Sequence, residues 1–377
     1  LKILCILFSS MLLLTGCLET KYLEKLGLIT AVGYDKAEDD KLKGTTVLYQ
    51  FNPSMDEVEK TLTTTARTSK GIRLSQNLDT DHKLVSGQLR VAVYGKDIAE
   101  EGIAHLVDTL ERDSSIGNMV YLAVAESTAE EILTFPLKEE PSNTGTYLYN
   151  LIQQNVDGDA IIAPTLQEFV TDYGSVGKDA ILPMLSITNG DMGVEGFALF
   201  DEDRYVQSVG KEKFFYVRSL IENNEVGSVE LGVPLEAFKE HLSKWGREDR
   251  TEEDLFITLD SIRSSFKIRL PDRDQPDFHI TLKVKSRLLE MSEELHLGNP
   301  KVIKLLERSI DKKMEESIED VLTFLQENHT DPVGFGMKYM SVRGHQDLTR
   351  KQWTDLYQKA TFHVTVENEI VRTGVIN

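Results

Sequence analysis

The 377-residue sequence predicts an α+β fold class: a multidomain protein of mixed β-sheets flanked by helices, with one long helix of the C-terminal half packed on a sheet. Three observations predict it. The first half alternates short strand-like and helix-like patterns, which implies local α/β layering. The second half carries longer alternating β-stretches around a single helical stripe that runs from Asn299 to Asn328. A composition of 40% hydrophobic and 28% charged residues is that of a globular chain, and the length suffices for two or three domains.

The chain opens with Lys2 and an apolar run from Ile3 to Leu14, which ends in Leu14-Thr15-Gly16-Cys17. A basic residue, a short apolar region and small residues before a cysteine spell a signal peptide of the lipoprotein kind. Leu14, Thr15 and Gly16 are the expected signal-peptidase recognition residues, the last two leaving room beside the Cys17 backbone. Cys17 is the expected lipid attachment site: its thiol takes a diacylglyceryl group, and its freed α-amine becomes the new N-terminus. The apolar run is shorter than the ~20 residues a spanning helix takes, so an uncleaved anchor is the weaker alternative. Leu1 stands where an initiator Met is expected, which points to a non-standard start codon or a missing Met.

Beyond the tether, Leu28 to Asp35 reads as a strand, and the charged stretch from Lys36 to Lys43 with Gly44 turns it into Thr45 to Phe51 as a hairpin. Thr61 to Thr65 is a third strand and Lys70 to Leu78 a short helix. Gly87 to Tyr94 alternates Leu89, Val91 and Val93 against Gln88 and Arg90, the pattern of a half-buried strand. From Asp97 the apolar residues Ile98, Ile103, Leu106, Val107 and Leu110 fall at helical spacing, predicting one amphipathic helix. Met119 to Ala125 returns to strand character, and Ser127 is placed to cap a short helix that ends near Leu133. Pro136 to Gly145 reads as a surface loop or subdomain boundary. Tyr147 to Val156 looks helical, Thr165-Leu166-Gln167-Glu168 has capping-box spacing, and Leu182 to Ile187 is strand-like before the turn Asn189-Gly190-Asp191.

In the second half, Val194 to Phe200 and Arg204 to Val209 are β-like runs joined by Asp201-Glu202-Asp203. That acidic triplet reads as a solvated hairpin turn rather than a metal loop, since no further spaced oxygen ligands accompany it. Glu230 to His241 and Asp260 to Leu270 alternate strand-like and loop segments, and Phe278 to Val284 is a period-two strand. Asn299 is a good N-cap with Pro300 at the first helical position; Ile303, Leu306, Ile310, Met314, Ile318, Val321 and Leu325 then form the stripe of a long core helix. Phe362, Val364 and Val366 close the chain as a strand expected to pair with the Phe278 strand.

The chemistry the sequence excludes is as informative as its pattern. The only other cysteine, Cys5, lies in the leader, so the mature chain has no disulfide to rely on and no free thiol for catalysis. A formal net charge of −20, with no basic cluster, argues against nucleic acid as a partner and against electrostatic attraction to anionic lipid. The chain has no G-x-S-x-G elbow, no G-x-x-x-x-G-K-[ST] loop and no H-E-x-x-H. Gly174-Ser175-Val176-Gly177 reads as a loop. The eight histidines are dispersed with no pair at ligand spacing, and His105 and His363 read as satisfied surface or core residues. No catalytic residue, metal or cofactor is expected.

The order of several segments resembles the C-subunit lipoproteins of spore germinant receptors, the Ger(x)C family. They are Tyr22 to Asp35, Gly87 to Ile103 running on to Glu111-Arg112-Asp113, Glu195-Gly196-Phe197-Ala198-Leu199-Phe200 with Arg204-Tyr205-Val206, and Asp331-Pro332-Val333-Gly334-Phe335-Gly336 with Trp353 and the strand to Thr373-Gly374. Gln88 departs from the family, whose members often carry His there. The resemblance implies a non-enzymatic docking subunit, held by membrane lipid through acylated Cys17 on the outer face of a spore's inner membrane. It also implies two integral-membrane partners, the A and B subunits, in a receptor for small nutrients, with the B subunit the expected nutrient site. The chain is thus read as a signal peptide (1–16), a tether (17–27), an N-terminal germination-protein domain (28–190, with a subdomain boundary near 136–145) and a C-terminal one (191–377). The alternative class is a solute-binding lipoprotein that hands a ligand to a transporter. An exported hydrolase is a third.

Overall fold

The computed structural model describes residues 25–50, 59–137, 143–242, 253–343 and 348–373. Among these, two mixed sheets carry the fold. The first is built on β1 (Leu26–Lys36), β2 (Leu42–Gln50) and β3 (Glu59–Ala66), an antiparallel meander whose first hairpin is the expected one. β4 (Lys83–Val85), β5 (Val91–Gly95), β6 (Tyr121–Ala125) and β7 (Ile181–Thr188) add parallel pairings, and β8 (Asp191–Asp201) and β9 (Arg204–Gly210) complete an antiparallel edge. The strand order is β3-β2-β1-β5-β6-β7-β8-β9, with β4 beside β1. The β8–β9 hairpin, which the sequence reading assigned to the second half, thus extends the first sheet.

The expected half-buried strand over Gly87 to Tyr94 is shorter and differently covered. β5 starts at Val91, and every residue in it is buried. The reason is position: β5 is central and parallel, so both faces are covered. Val91 and Val93 face one core, while Ala92 and Tyr94 face the other. The single helix expected from Asp97 is two, α2 (Lys96–Glu101) and α3 (Ala104–Glu111), after α1 (Ser69–Leu78). Gly102 breaks it with φ of +117°, and the Asp203 carboxylate accepts the Ala104 N–H at 3.0 Å. α4 (Ala129–Leu133) is capped by Thr128, whose hydroxyl accepts the Glu131 N–H, rather than by Ser127. Asn143 caps α5 (Thr144–Asp157), and α6 (Leu166–Tyr173) begins on the expected capping box of Thr165 and Glu168.

The second sheet has the order β10-β11-β12-β13: β10 (Gly227–Pro234), β11 (Asp254–Arg269), β12 (Asp277–Met291) and β13 (Thr361–Thr373). The final strand pairs with the Phe278 strand as expected, in parallel, with Phe278 opposite Phe362. α7 (Phe214–Ile221), α9 (Phe335–Val342) and α10 (Arg350–Tyr357) join α8 (Pro300–Glu327), the expected long helix. The Asn299 side chain accepts the Lys301 N–H at 3.0 Å, and burial runs from Val302 through Ile310, Met314 and Ile318 to Leu325. One continuous core joins Ala31, Val91 and Ala123 of the first sheet to Phe278, Ile310 and Tyr357 of the second half.

Candidate functional site

The residues that fix one half of the molecule to the other form a dense polar constellation. Asp331 precedes α9 and is 1% exposed. Its carboxylate accepts the backbone N–H groups of Gly334, Phe335 and Gly336 at 2.8, 3.0 and 2.9 Å, and the Trp353 indole N–H at 3.2 Å. A carboxylate four residues before the first helical residue can reach the amides of the N-cap and first turn, which have no partner within the helix. Gly334, with φ of +83°, turns the chain so that these amides converge.

The same residue reaches across to the first half. The Asp331 N–H donates to Asp179 Oδ2 at 2.8 Å, and the Asp179 N–H donates to the Asp331 carbonyl at 2.9 Å. Arg350 of α10 donates to Asp179 Oδ1 at 2.6 Å and to the carbonyls of Tyr173 and Ser175. Gly177 and Gly336 lie back to back: a Cβ on Gly336 would fall 2.4 Å from the Gly177 Cα and 2.6 Å from the Trp353 ring. The Gly174 to Gly177 segment is therefore a loop, as expected, but one shaped for this contact. Burial pushes the Asp331 carboxyl up to about 8 against the pull of the three amides, with the nearby Asp179 carboxylate adding to the rise. Burial likewise raises Asp179, against the Asp331 amide and Arg350.

A second clasp lies at Asp159, beyond α5. Its carboxylate pairs with the buried Arg218 of α7 at 2.5 Å and accepts the N–H groups of Glu225 and Val226. Asp35, at the end of β1, plays a comparable part within the first half, accepting the N–H groups of Ala129 and Glu130 at 2.7 and 2.9 Å. Gly95 is required beside it, since a Cβ there would sit 2.0 Å from Asp35 Oδ1. These acids are engaged by backbone amides, and Asp179 and Asp159 by an arginine as well, the arrangement of structural anchors.

Leu14, Thr15, Gly16 and Cys17, the residues the sequence singles out, lie outside the described residues. Asp201-Glu202-Asp203 forms the β8–β9 turn and serves as a cap for α3. The histidines are dispersed along the sequence, but β12 and β13 bring His279 and His363 side by side with Asp277. Sequence spacing could not show this, because 84 positions separate the two histidines and only strand pairing joins them. The clasp was also missed, although a carboxylate ahead of Gly-Phe-Gly at Asp331 was a readable capping signal. A cavity under α1, lined by Tyr34, Arg73, Gln76 and Ser86, measures about 40 Å³, room for a few waters. No helix among the described residues is long and apolar enough to cross a membrane.

Comparison with known proteins matches both halves. Residues 19–187 fit the family model "Spore germination protein N-terminal domain", and residues 195–374 fit "Spore germination B3/ GerAC like, C-terminal". The chain is 24% identical over 363 residues to spore germination protein GerQC of Bacillus cereus, covering 96% of each. It is 23% identical to spore germination protein KC of Bacillus subtilis (strain 168), covering 99% of this chain and 95% of that one. Spore germination protein B3 of the same organism is 21% identical, with 98% and 97% covered. The crystal structure of the GerBC protein superposes with a TM-score of 0.52 at 14% identity, covering 90% of this chain and 96% of that one, so the two share a fold.

Proposed function

The chain belongs to the GerAC-like family of spore germinant receptor C subunits, and from that premise we propose that it is a lipid-anchored docking subunit of a nutrient germinant receptor. The observation that carries this reading is that two germination-protein models together match residues 19–187 and 195–374. A role in spore germination follows from the family.

In this reading Cys17 carries the acyl anchor after cleavage behind Leu14, Thr15 and Gly16. Two acyl chains hold a protein stably at a bilayer where one does not, and a chain of −20 formal charge needs such an anchor at an anionic surface. β1 begins at Leu26, two residues earlier than the sequence reading places it, so a tether that starts at Cys17 has nine residues before the first strand, reaches about 30 Å at most and keeps the folded part near the membrane. We take 28–190 and 191–377 as N- and C-terminal germination-protein domains that share the β7–β8 hairpin and are held by the Asp331 and Asp159 clasps. A platform of this kind presents a fixed surface to two integral-membrane partners, the A and B subunits, on the outer face of the spore's inner membrane. It works without catalysis, and nutrient recognition falls to the membrane subunits.

The test is a pull-down from detergent-solubilised spore membranes, native chain against Cys17→Ala. Recovery of two multi-span proteins with the native chain, and their loss with the variant, is the expected result. Recovery of an ATPase and a permease instead would overturn the receptor reading in favour of solute delivery.

A further inference from the structure

Away from the clasps, three side chains converge on the solvent face of the second sheet. β12 and β13 run parallel and in register, with Asp277 opposite Thr361 and His279 opposite His363. The two-residue period of a strand puts Asp277 and His279 on one face, and the register sets His363 beside them. The imidazole centroids are 4.7 Å apart. The Asp277 carboxylate lies 3.0 Å from His363 Nε2 through Oδ1 and 3.5 Å from His279 Nε2 through Oδ2. Donor atoms of all three lie within 4.8 Å of one another. The Thr361 hydroxyl donates to Asp277 Oδ1 at 2.7 Å, orienting the carboxylate as outer partners orient metal ligands. Beneath this face Phe278 and Phe362 stack at 5.8 Å, anchoring the two strands that present the ligands.

We propose that Asp277, His279 and His363 form a binding site for a divalent transition-metal ion of the zinc class. Two imidazole nitrogens and one carboxylate oxygen suit zinc, cobalt, nickel or copper, whereas magnesium and calcium take oxygen ligands throughout. In a tetrahedral zinc centre neighbouring donor atoms lie about 3.4 Å apart. Side-chain rotation of two exposed histidines closes that difference without moving the strands. The remaining coordination position faces solvent and takes water.

The surroundings define what the site can hold. Further along the same face Lys283 pairs with Glu367 and Lys285 with Glu369, so opposite charges meet across the strands there. In the His279 row two like side chains meet instead, and Asp277 is the anionic group in reach of both. Arg269 stands opposite His279 on β11. Its charge favours an ion whose affinity comes from nitrogen ligation over one held by charge alone. An open, three-ligand site also binds more weakly than an enclosed four-ligand one.

The experiment is calorimetric titration of the full-length chain in detergent with zinc chloride near neutral pH, repeated with cobalt chloride to read visible ligand-field bands. One zinc per chain is expected at this site. His279→Ala and His363→Ala should each weaken its binding more than about 10-fold, the scale on which even the outer partners of metal ligands act, and should abolish the cobalt bands. Both positions are exposed, so thermal unfolding of the metal-free variants should match that of the parent. An unchanged isotherm in both variants, or no zinc binding by the parent chain, would overturn the proposal. Neither outcome bears on co-purification with membrane subunits.

Discussion

At the scale of single residues, Asp331 does what no apolar residue could. Its carboxylate gathers three backbone N–H groups and an indole N–H in a site closed to water. Removing a buried acceptor leaves its donors unsatisfied, and each such group costs roughly 1–3 kcal/mol. Asp331→Ala should therefore lower unfolding stability by about 3 kcal/mol or more, measured by urea denaturation. A loss below about 1 kcal/mol would mean that water replaces the carboxylate. The motif was visible in the sequence as a string, Asp-Pro-Val-Gly-Phe-Gly, while its meaning was not. Asp179, Arg350 and Trp353, which complete the site, come from distant parts of the chain.

At the scale of elements, α8 protects an edge strand by a match of two periods. Glu307, Asp311 and Glu315 accept the backbone N–H groups of Ile370, Asn368 and Val366 at 3.0, 2.7 and 2.9 Å. Four residues of helix rise about 6 Å and two residues of strand about 6.6 Å, so acids spaced four residues apart on the helix each meet one of the alternate amides of the strand. An unpaired strand edge is a template for another strand. The triple variant Glu307→Ala, Asp311→Ala, Glu315→Ala should thus self-associate, read as a shift to larger species in size-exclusion chromatography with light scattering. A variant that stays at the parent's mass would show that apolar packing alone guards the edge. The apolar stripe of α8 was legible from Leu306 to Leu325 because its period is local. The acid row was not, since on a surface helix acids every four residues look like ordinary solvated charge.

At the scale of the whole molecule, the buried carboxyls make stability depend on pH. Burial pushes Asp311 up to about 6, with Glu315 and Glu307 adding to the rise, and Asp331 up to about 8. Such groups hold protons in the folded chain that the unfolded chain has released. Their contribution is complete below about 4 and is lost as pH rises through about 6 and then about 8. Asp113 acts the other way: Lys70 and Ser115 hold its carboxyl well below the usual range despite its partial burial, so its contribution is lost only in strong acid. The melting temperature should accordingly fall between about pH 5 and about pH 8, and Asp331→Asn should flatten the upper part of that fall. A melting temperature that holds or rises over the interval would contradict the assignment.

The sequence by itself determined the fold class, the strands and helices whose apolar period is unbroken, the α6 capping box, and the family resemblance. The strands, helices and capping box depend on neighbours within a few residues, where periodicity and capping chemistry act, and the fold class and resemblance on the order of such segments along the chain. Only the tertiary structure decided that β8 and β9 join the first sheet, that Gly102 splits a helix, that Asp331 clasps the two halves, and that His279 meets His363. Each of these is a contact between distant segments. Which segments pair is set by the burial of whole sheet faces, a quantity that no local window of residues contains.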